Sequence, residues 1–109
     1  MEDLRLIATE DGSHSLYHAA LDETFHSKHG AWQESMHVFI QNGLQWYHDQ
    51  YPNRNNIKIF EIGFGTGLNA FLSCQFAEEN QLEIDYHSIE LFPIDVGMAN
   101  KLNYAEKSE

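Results

Sequence analysis

At 109 residues the chain has room for one small domain, and 42% hydrophobic with 13% aromatic residues is the composition of a chain that folds. Six Lys plus Arg against seventeen Asp plus Glu leave a net charge of -11, which disfavours direct attraction to a phosphate backbone and favours a cationic ligand, although solubility is the commoner reason for an acidic surface. The sequence shows no basic-then-apolar leader, no apolar run near the ~20 residues of a bilayer span, and a lone Cys74 that excludes an internal disulfide, so a reducing, cytoplasmic setting away from membranes is expected.

Leu4, Leu6 and Ala8 alternate with Arg5, Ile7 and Thr9, and Asp11-Gly12 offers a tight turn before Ser13 to His18, which predicts a short β-hairpin. Residues 19–30 carry neither period and are expected to form a loop, so that hairpin and loop together occupy 1–30. Trp32, Met36, Phe39, Ile40, Gly43 and Tyr47 recur at three- and four-residue steps and predict a helix over 31–51, stopped before Pro52, whose aromatic and Met stripe is core packing. Ile57 to Ile62 is short, β-branched and bounded by Asn55-Asn56 and Gly63, the pattern of a buried strand. Leu68, Phe71, Leu72, Gln75 and Phe76 then follow helical spacing up to Asn80, with Cys74 expected as a small core residue, and Leu82 to Leu91 predicts a second strand.

The order over 57–109 is therefore strand, glycine turn, helix, strand, a βαβ unit whose strands must run parallel. A doubly wound sheet of that kind holds about six strands, so the chain is expected to be the N-terminal portion of a single larger domain, with its first strand exposing an edge that invites self-association.

Glu61-Ile62-Gly63-Phe64-Gly65-Thr66-Gly67 lies at the strand-to-helix handover, where ligands bind in open α/β sheets. The spacing is G-x-G-x-G, and Leu68 stands where a dinucleotide fingerprint would need its third glycine. Glu61, two residues before the first glycine, would repel a pyrophosphate but can hold the ammonium of S-adenosylmethionine, whose carboxylate suits helix-end amides. Glu90 ends the second strand twenty-three residues after Gly67, where an acid can accept both ribose hydroxyls.

Asp11-Gly12-Ser13, Phe25-His26-Ser27-Lys28-His29-Gly30-Ala31, Gln33-Glu34-Ser35, His37-Val38-Phe39-Ile40 and the run from Glu61 to Asn69 resemble the methyltransferase domain of the tRNA 5-methylaminomethyl-2-thiouridine biosynthesis proteins, which occurs fused to an oxidase or alone. The resemblance covers most of the chain and implies an α/β fold, the N-terminal part of a Rossmann-like class I S-adenosylmethionine-dependent methyltransferase preceded by a hairpin and a helix. It also implies methyl transfer to the aminomethyl nitrogen at carbon 5 of a wobble (2-thio)uridine, with tRNA as partner. The cofactor set is then Glu61, Gly63, Gly65, Thr66, Gly67, Asn69 and Glu90. The chain stops before the acidic motif expected to line that family's substrate pocket, so the catalytic residues and basic tRNA contacts are expected outside it and the chain by itself is expected to be inactive.

The nucleophile must be a neutral amine, and an alkyl amine with a pKa of about 10.4 needs desolvation or a base to stay so. Glu34, His26 and His29 are the candidates within the chain, against the plainer role of polar groups that cap a loop or helix. Beside the tRNA enzyme stand an S-adenosylmethionine-binding methyltransferase of another substrate class, a metal protein using His14 with His18 or His26 with His29, without a cysteine pair or H-E-x-x-H to support it, and a noncatalytic module that keeps the fold. No metal is expected.

Overall fold

The computed structural model describes residues 3–108. Strands β1 (Leu4–Ala8) and β2 (His14–His18) pair antiparallel with Leu6 opposite Leu16, joined by a turn in which Gly12 takes a φ of 85° that favours glycine. Residues 19–30 are more than a loop: β3 (Glu23–Thr24) adds to β2 with Thr24 opposite Tyr17, and the Phe25 amide continues the ladder to the Leu16 carbonyl at 2.9 Å. A two-residue strand is too short to carry a sequence period, which is why pairing with β2, and no local pattern, reveals it.

The hairpin turn caps the helix that follows. A helix leaves its first amides without intrahelical partners, and here Ala31 donates to Thr9 Oγ1, Trp32 to Ser13 Oγ and Gln33 to Asp11 Oδ2, each at 2.9 Å. Gly30 is needed for closeness, because a Cβ there would stand 2.6 Å from Asp11 Oδ2.

Helix α1 runs over 31–50 in three segments: α-helical Ala31–Ser35, π-helical Met36–Gln45 and α-helical Trp46–Gln50. It stops one residue earlier than expected, where Tyr51 leaves helical dihedrals with φ -130°. The wider i→i+5 winding of the middle segment moves the buried face onto Ile40 and Leu44 and leaves Gly43 exposed, correcting its place in the apolar stripe.

Strand β4 (Asn56–Ile62), helix α2 (Leu68–Asn80) and strand β5 (Glu83–Ile89) form the expected parallel βαβ unit, with Ile57 opposite Ile84 and Glu61 opposite Ser88. The second strand is shorter than the span Leu82 to Leu91, and Glu90 follows its last residue. Leu68, Leu72 and Phe76 of α2 pack with Ile40 and Leu44 of α1, Ile57 of β4 and Tyr104 into one core. Cys74 is exposed, contrary to its expected place in the core, and Ser73 is buried in its stead. The Ser73 hydroxyl donates to the Asn69 carbonyl at 2.7 Å, so it enters the interior with its polar group satisfied.

Helices cover one face of the β4–β5 sheet. The other face presents Phe60 (63% exposed), Ile62 (84%) and Ile89 (58%). Among the described residues β4 pairs only with β5, and a groove of about 680 Å³ lined by Val38, Tyr47, Arg54 and Lys58 runs along it. Two short helices, α3 (Val96–Ala99) and α4 (Tyr104–Lys107), return the chain to the hairpin. There Asn103 Nδ2 donates to the Gly12 carbonyl, Asn103 Oδ1 accepts from the His14 amide, and Lys107 Nζ donates to the Asp11 carbonyl. Among the described residues no helix is long and apolar enough to cross a membrane.

Candidate cofactor site

The glycine run occupies the turn between β4 and α2. Gly63, Gly65 and Gly67 take φ of 88°, 60° and 82°, left-handed values that tax any side chain, and they allow three reversals within five residues. Space matters differently at each. A Cβ on Gly67 would meet the Phe64 ring at 2.8 Å, one on Gly65 would stand 3.4 Å from Phe25, and beside Gly63 there is open space.

Glu90 organises this turn from the neighbouring strand end. Its Oε1 accepts the Gly65 amide at 2.8 Å and its Oε2 the Phe92 amide at 3.1 Å, while the Gly63 amide reaches the Ile89 carbonyl at 2.7 Å. The two strand ends and the turn are thereby locked together.

Glu61 is only 9% exposed, and its carboxylate is held by Asn69 Nδ2 and Ser88 Oγ, both at 3.1 Å. The Tyr86 hydroxyl is buried without a well-aligned partner. Burial pushes its pKa up, and the nearby Glu61 carboxylate adds to the rise. Asn69 Oδ1 is likewise buried with no partner among the described residues. Since Nδ2 is committed to Glu61, that oxygen is an acceptor awaiting a donor.

A cavity of about 420 Å³ opens beside the turn, and its wall includes Gly63, Gly65 and Asn69 together with His26 and Glu34 from the opposite side of the fold. Phe25, Phe64 and Phe39 supply its apolar surface. His26 Nδ1 lies 2.8 Å from the buried Ser15 Oγ. Burial lowers the His26 pKa, opposed in part by Glu34, which favours the neutral ring. Glu34 Oε1 accepts the Ser27 amide at 3.1 Å, which ties the 25–30 segment to α1.

Of the three candidates for substrate contact, His26 and Glu34 thus share this cavity. His29 does not: it is exposed and pairs with Glu10 at 3.1 Å. Thr66 turns inward, its Oγ1 lying 2.8 Å from the Tyr104 hydroxyl, which also donates to the His14 carbonyl. Burial pushes Tyr104 up to about 12, with the Thr66 bond opposing. The histidines are engaged separately, His14 Nδ1 at the Lys101 carbonyl and His18 Nδ1 at the Leu21 amide, and among the described residues no three His, Cys, Asp or Glu converge as a metal site would need. Phe25 and Ser15 were missed as site residues. Phe25 lay within a recognisable motif, whereas a serine in a strand carries no signal of its own.

No family model matches the chain. Curated proteins do, among them three named tRNA 5-methylaminomethyl-2-thiouridine biosynthesis bifunctional protein MnmC. That of Leptospira borgpetersenii is 33% identical over 78 residues, covering 67% of this chain and 12% of that protein. The Methylobacillus flagellatus protein is 30% identical over 81 residues (72% and 12%), and that of Pseudomonas savastanoi 30% over 76 residues (66% and 12%). The chain therefore spans about an eighth of the length of these relatives. The crystal structure of MNMC2 from Aquifex aeolicus superposes with a TM-score of 0.75 at 27% identity, over 84% of this chain and 31% of that one. A mixed α/β fold with a parallel sheet, common to the superposed region, and these sequence matches make the chain a relative of the MnmC family.

Proposed function

We propose that the chain forms the S-adenosylmethionine-binding portion of a Rossmann-like tRNA methyltransferase that converts the 5-aminomethyl group of a wobble (2-thio)uridine to 5-methylaminomethyl. The observation that carries this reading is the cavity in which Gly63, Gly65 and Asn69 meet, with Glu90 pinning the turn behind it. Three properties of these residues suit the cofactor. Open space beside Gly63 lets a ligand approach the backbone. The unpartnered Asn69 Oδ1 can accept from an ammonium, with the Glu61 carboxylate one hydrogen bond behind it adding negative potential. Glu90 carries lone pairs beyond the two that the amides use, enough to accept ribose hydroxyls at the strand end.

When bound, the cofactor supplies a sulfonium methyl for in-line attack by a neutral amine. The chain's own contribution is positioning, which can account for a large part of such a rate. Phe25, Phe64 and Phe39 give the cavity apolar walls, and Glu34 offers negative charge near a nitrogen that becomes cationic as it is methylated. The tRNA as substrate rests on what the relatives are named for.

Calorimetric titration tests the cofactor reading: S-adenosylmethionine should bind and NAD should not, and equal binding or no heat with either refutes it. The reaction is tested by supplying labelled cofactor and tRNA that carries 5-aminomethyluridine to the chain and to longer proteins that include it. Label is expected on the wobble uridine with the longer proteins, and label elsewhere would reassign the substrate.

A further inference from the structure

His26 reaches the cavity wall from the β2–β3 side, 2.8 Å from a serine hydroxyl that is itself completely buried. Among the described residues, Ser15 Oγ makes no other hydrogen bond. A buried hydroxyl proton needs an acceptor, and among the described residues the partner it meets is His26 Nδ1. Ser15 therefore donates, Nδ1 accepts, and the neutral ring must carry its proton on Nε2. We propose that His26 is a fixed hydrogen-bond donor of the ligand cavity, its tautomer set by Ser15, and that it recognises a carboxylate or carbonyl oxygen of the bound ligand.

This deepens the proposed function. Two groups there have the required chemistry, the α-carboxylate of S-adenosylmethionine and a carbonyl oxygen of the uracil ring. Glu34, which faces His26 from α1, accepts the Ser27 amide through Oε1. The assignment also sets His26 apart from a general base, because a ring protonated at Nε2 has no free lone pair to offer the amine.

The test has one readout that needs no ligand. Nitrogen-15 chemical shifts of the His26 ring at pH 7 are expected to show a proton on Nε2 and a bare Nδ1, and in Ser15→Ala the tautomers should mix. A bare Nε2, or a charged ring, overturns the inference whether or not the cofactor binds. The second readout compares the chain with His26→Ala and His26→Gln, since glutamine keeps an N–H donor. Affinities for S-adenosylmethionine, its decarboxylated analogue and 5-aminomethyluridine are measured by calorimetry. A roughly tenfold loss for S-adenosylmethionine in His26→Ala, absent for the decarboxylated analogue and partly restored by glutamine, assigns the donor to the carboxylate, in keeping with the 1.4 kcal/mol that equals a factor of ten. The same pattern confined to the nucleoside assigns it to the uracil. Unchanged affinities for all three overturn it, and failure of the unaltered chain to bind S-adenosylmethionine, with the Nε2 proton still observed, strikes the cofactor reading and leaves the donor in place.

Discussion

Removing the Asp11 carboxylate should loosen the hairpin from helix α1, and the size of the effect follows from the hydrogen bonds it accepts. Oδ1 takes the Ser13 amide at 2.9 Å, the Ser13 hydroxyl, and the Thr9 hydroxyl at 3.0 Å, and Oδ2 takes the Gln33 amide at 2.9 Å. Burial of the carboxyl works against ionisation, yet these bonds outweigh it and hold the pKa down to about 2 from 3.8. A shift of that size is worth at most about 2.5 kcal/mol, and because Asp11 is partly exposed to solvent about 1 kcal/mol is the reasonable share. Loss of the cap on Gln33 adds about 1 kcal/mol.

Asp11→Ala is thus expected to cost about 2 kcal/mol at pH 7, or a fall in Tm of about 8–16 °C for a domain of this size. A group whose pKa is depressed by folding stabilises fully above its unfolded value and loses that contribution as pH falls through the folded one. The electrostatic half of the difference from Asp11→Ala should therefore persist from pH 7 to pH 5 and shrink between about pH 4 and pH 2. Urea unfolding followed by circular dichroism at each pH reads both quantities. A difference below about 0.5 kcal/mol at pH 7, the ordinary range of a surface substitution, or a gap that closes by pH 5, refutes the reasoning.

Gly67→Ala should cost more than the ~1–2 kcal/mol of a left-handed alanine, because its Cβ meets the Phe64 ring at 2.8 Å, whereas Gly63→Ala at a similar φ has room and should pay the backbone cost alone. Equal losses in urea unfolding would show that packing against Phe64 is irrelevant. Glu90→Ala should weaken S-adenosylmethionine binding by tenfold or more in calorimetry while the β4–β5 pair stays folded by circular dichroism; unchanged affinity removes Glu90 from the cofactor set. The exposed apolar face of β4 should drive self-association, so Phe60→Lys with Ile62→Lys is expected to lower the mass seen by light scattering, and an equally large species in the variant would place any contact elsewhere.

What was legible in the sequence is the part whose physics is local. The β4–α2–β5 order follows from β-branched runs on either side of a glycine turn, because glycine adopts the positive φ found at Gly63, Gly65 and Gly67 at the least cost. The position of Glu90 followed from the same geometry, since a parallel neighbour must end beside the turn. Gly43 was misplaced because the inference assumed an ideal α-helical row, and Cys74 because it assumed that a small apolar residue in a helical pattern is buried. The π-helical winding of Met36–Gln45 shifts that row in α1, and in α2 a serine that returns its hydroxyl to Asn69 takes the buried position next to Cys74.

The remaining disagreement concerns residues whose partners lie far away in the chain, and it explains why a motif reports a fold more faithfully than a contact. Thr66 belongs to the glycine run and was expected to face the cofactor, yet its hydroxyl is engaged by Tyr104, thirty-eight residues onward. Tyr104 in turn donates to His14 of the hairpin, and Asn103 and Lys107 bind Gly12 and Asp11 of the turn that caps helix α1. Through this chain of bonds the C-terminal segment ties the hairpin to the glycine turn, and the cavity lies between that turn, the Phe25–His26 segment and helix α1. The side chain of Thr66 therefore anchors the turn, and the backbone of Gly63 and Gly65 is what the turn presents to the cavity.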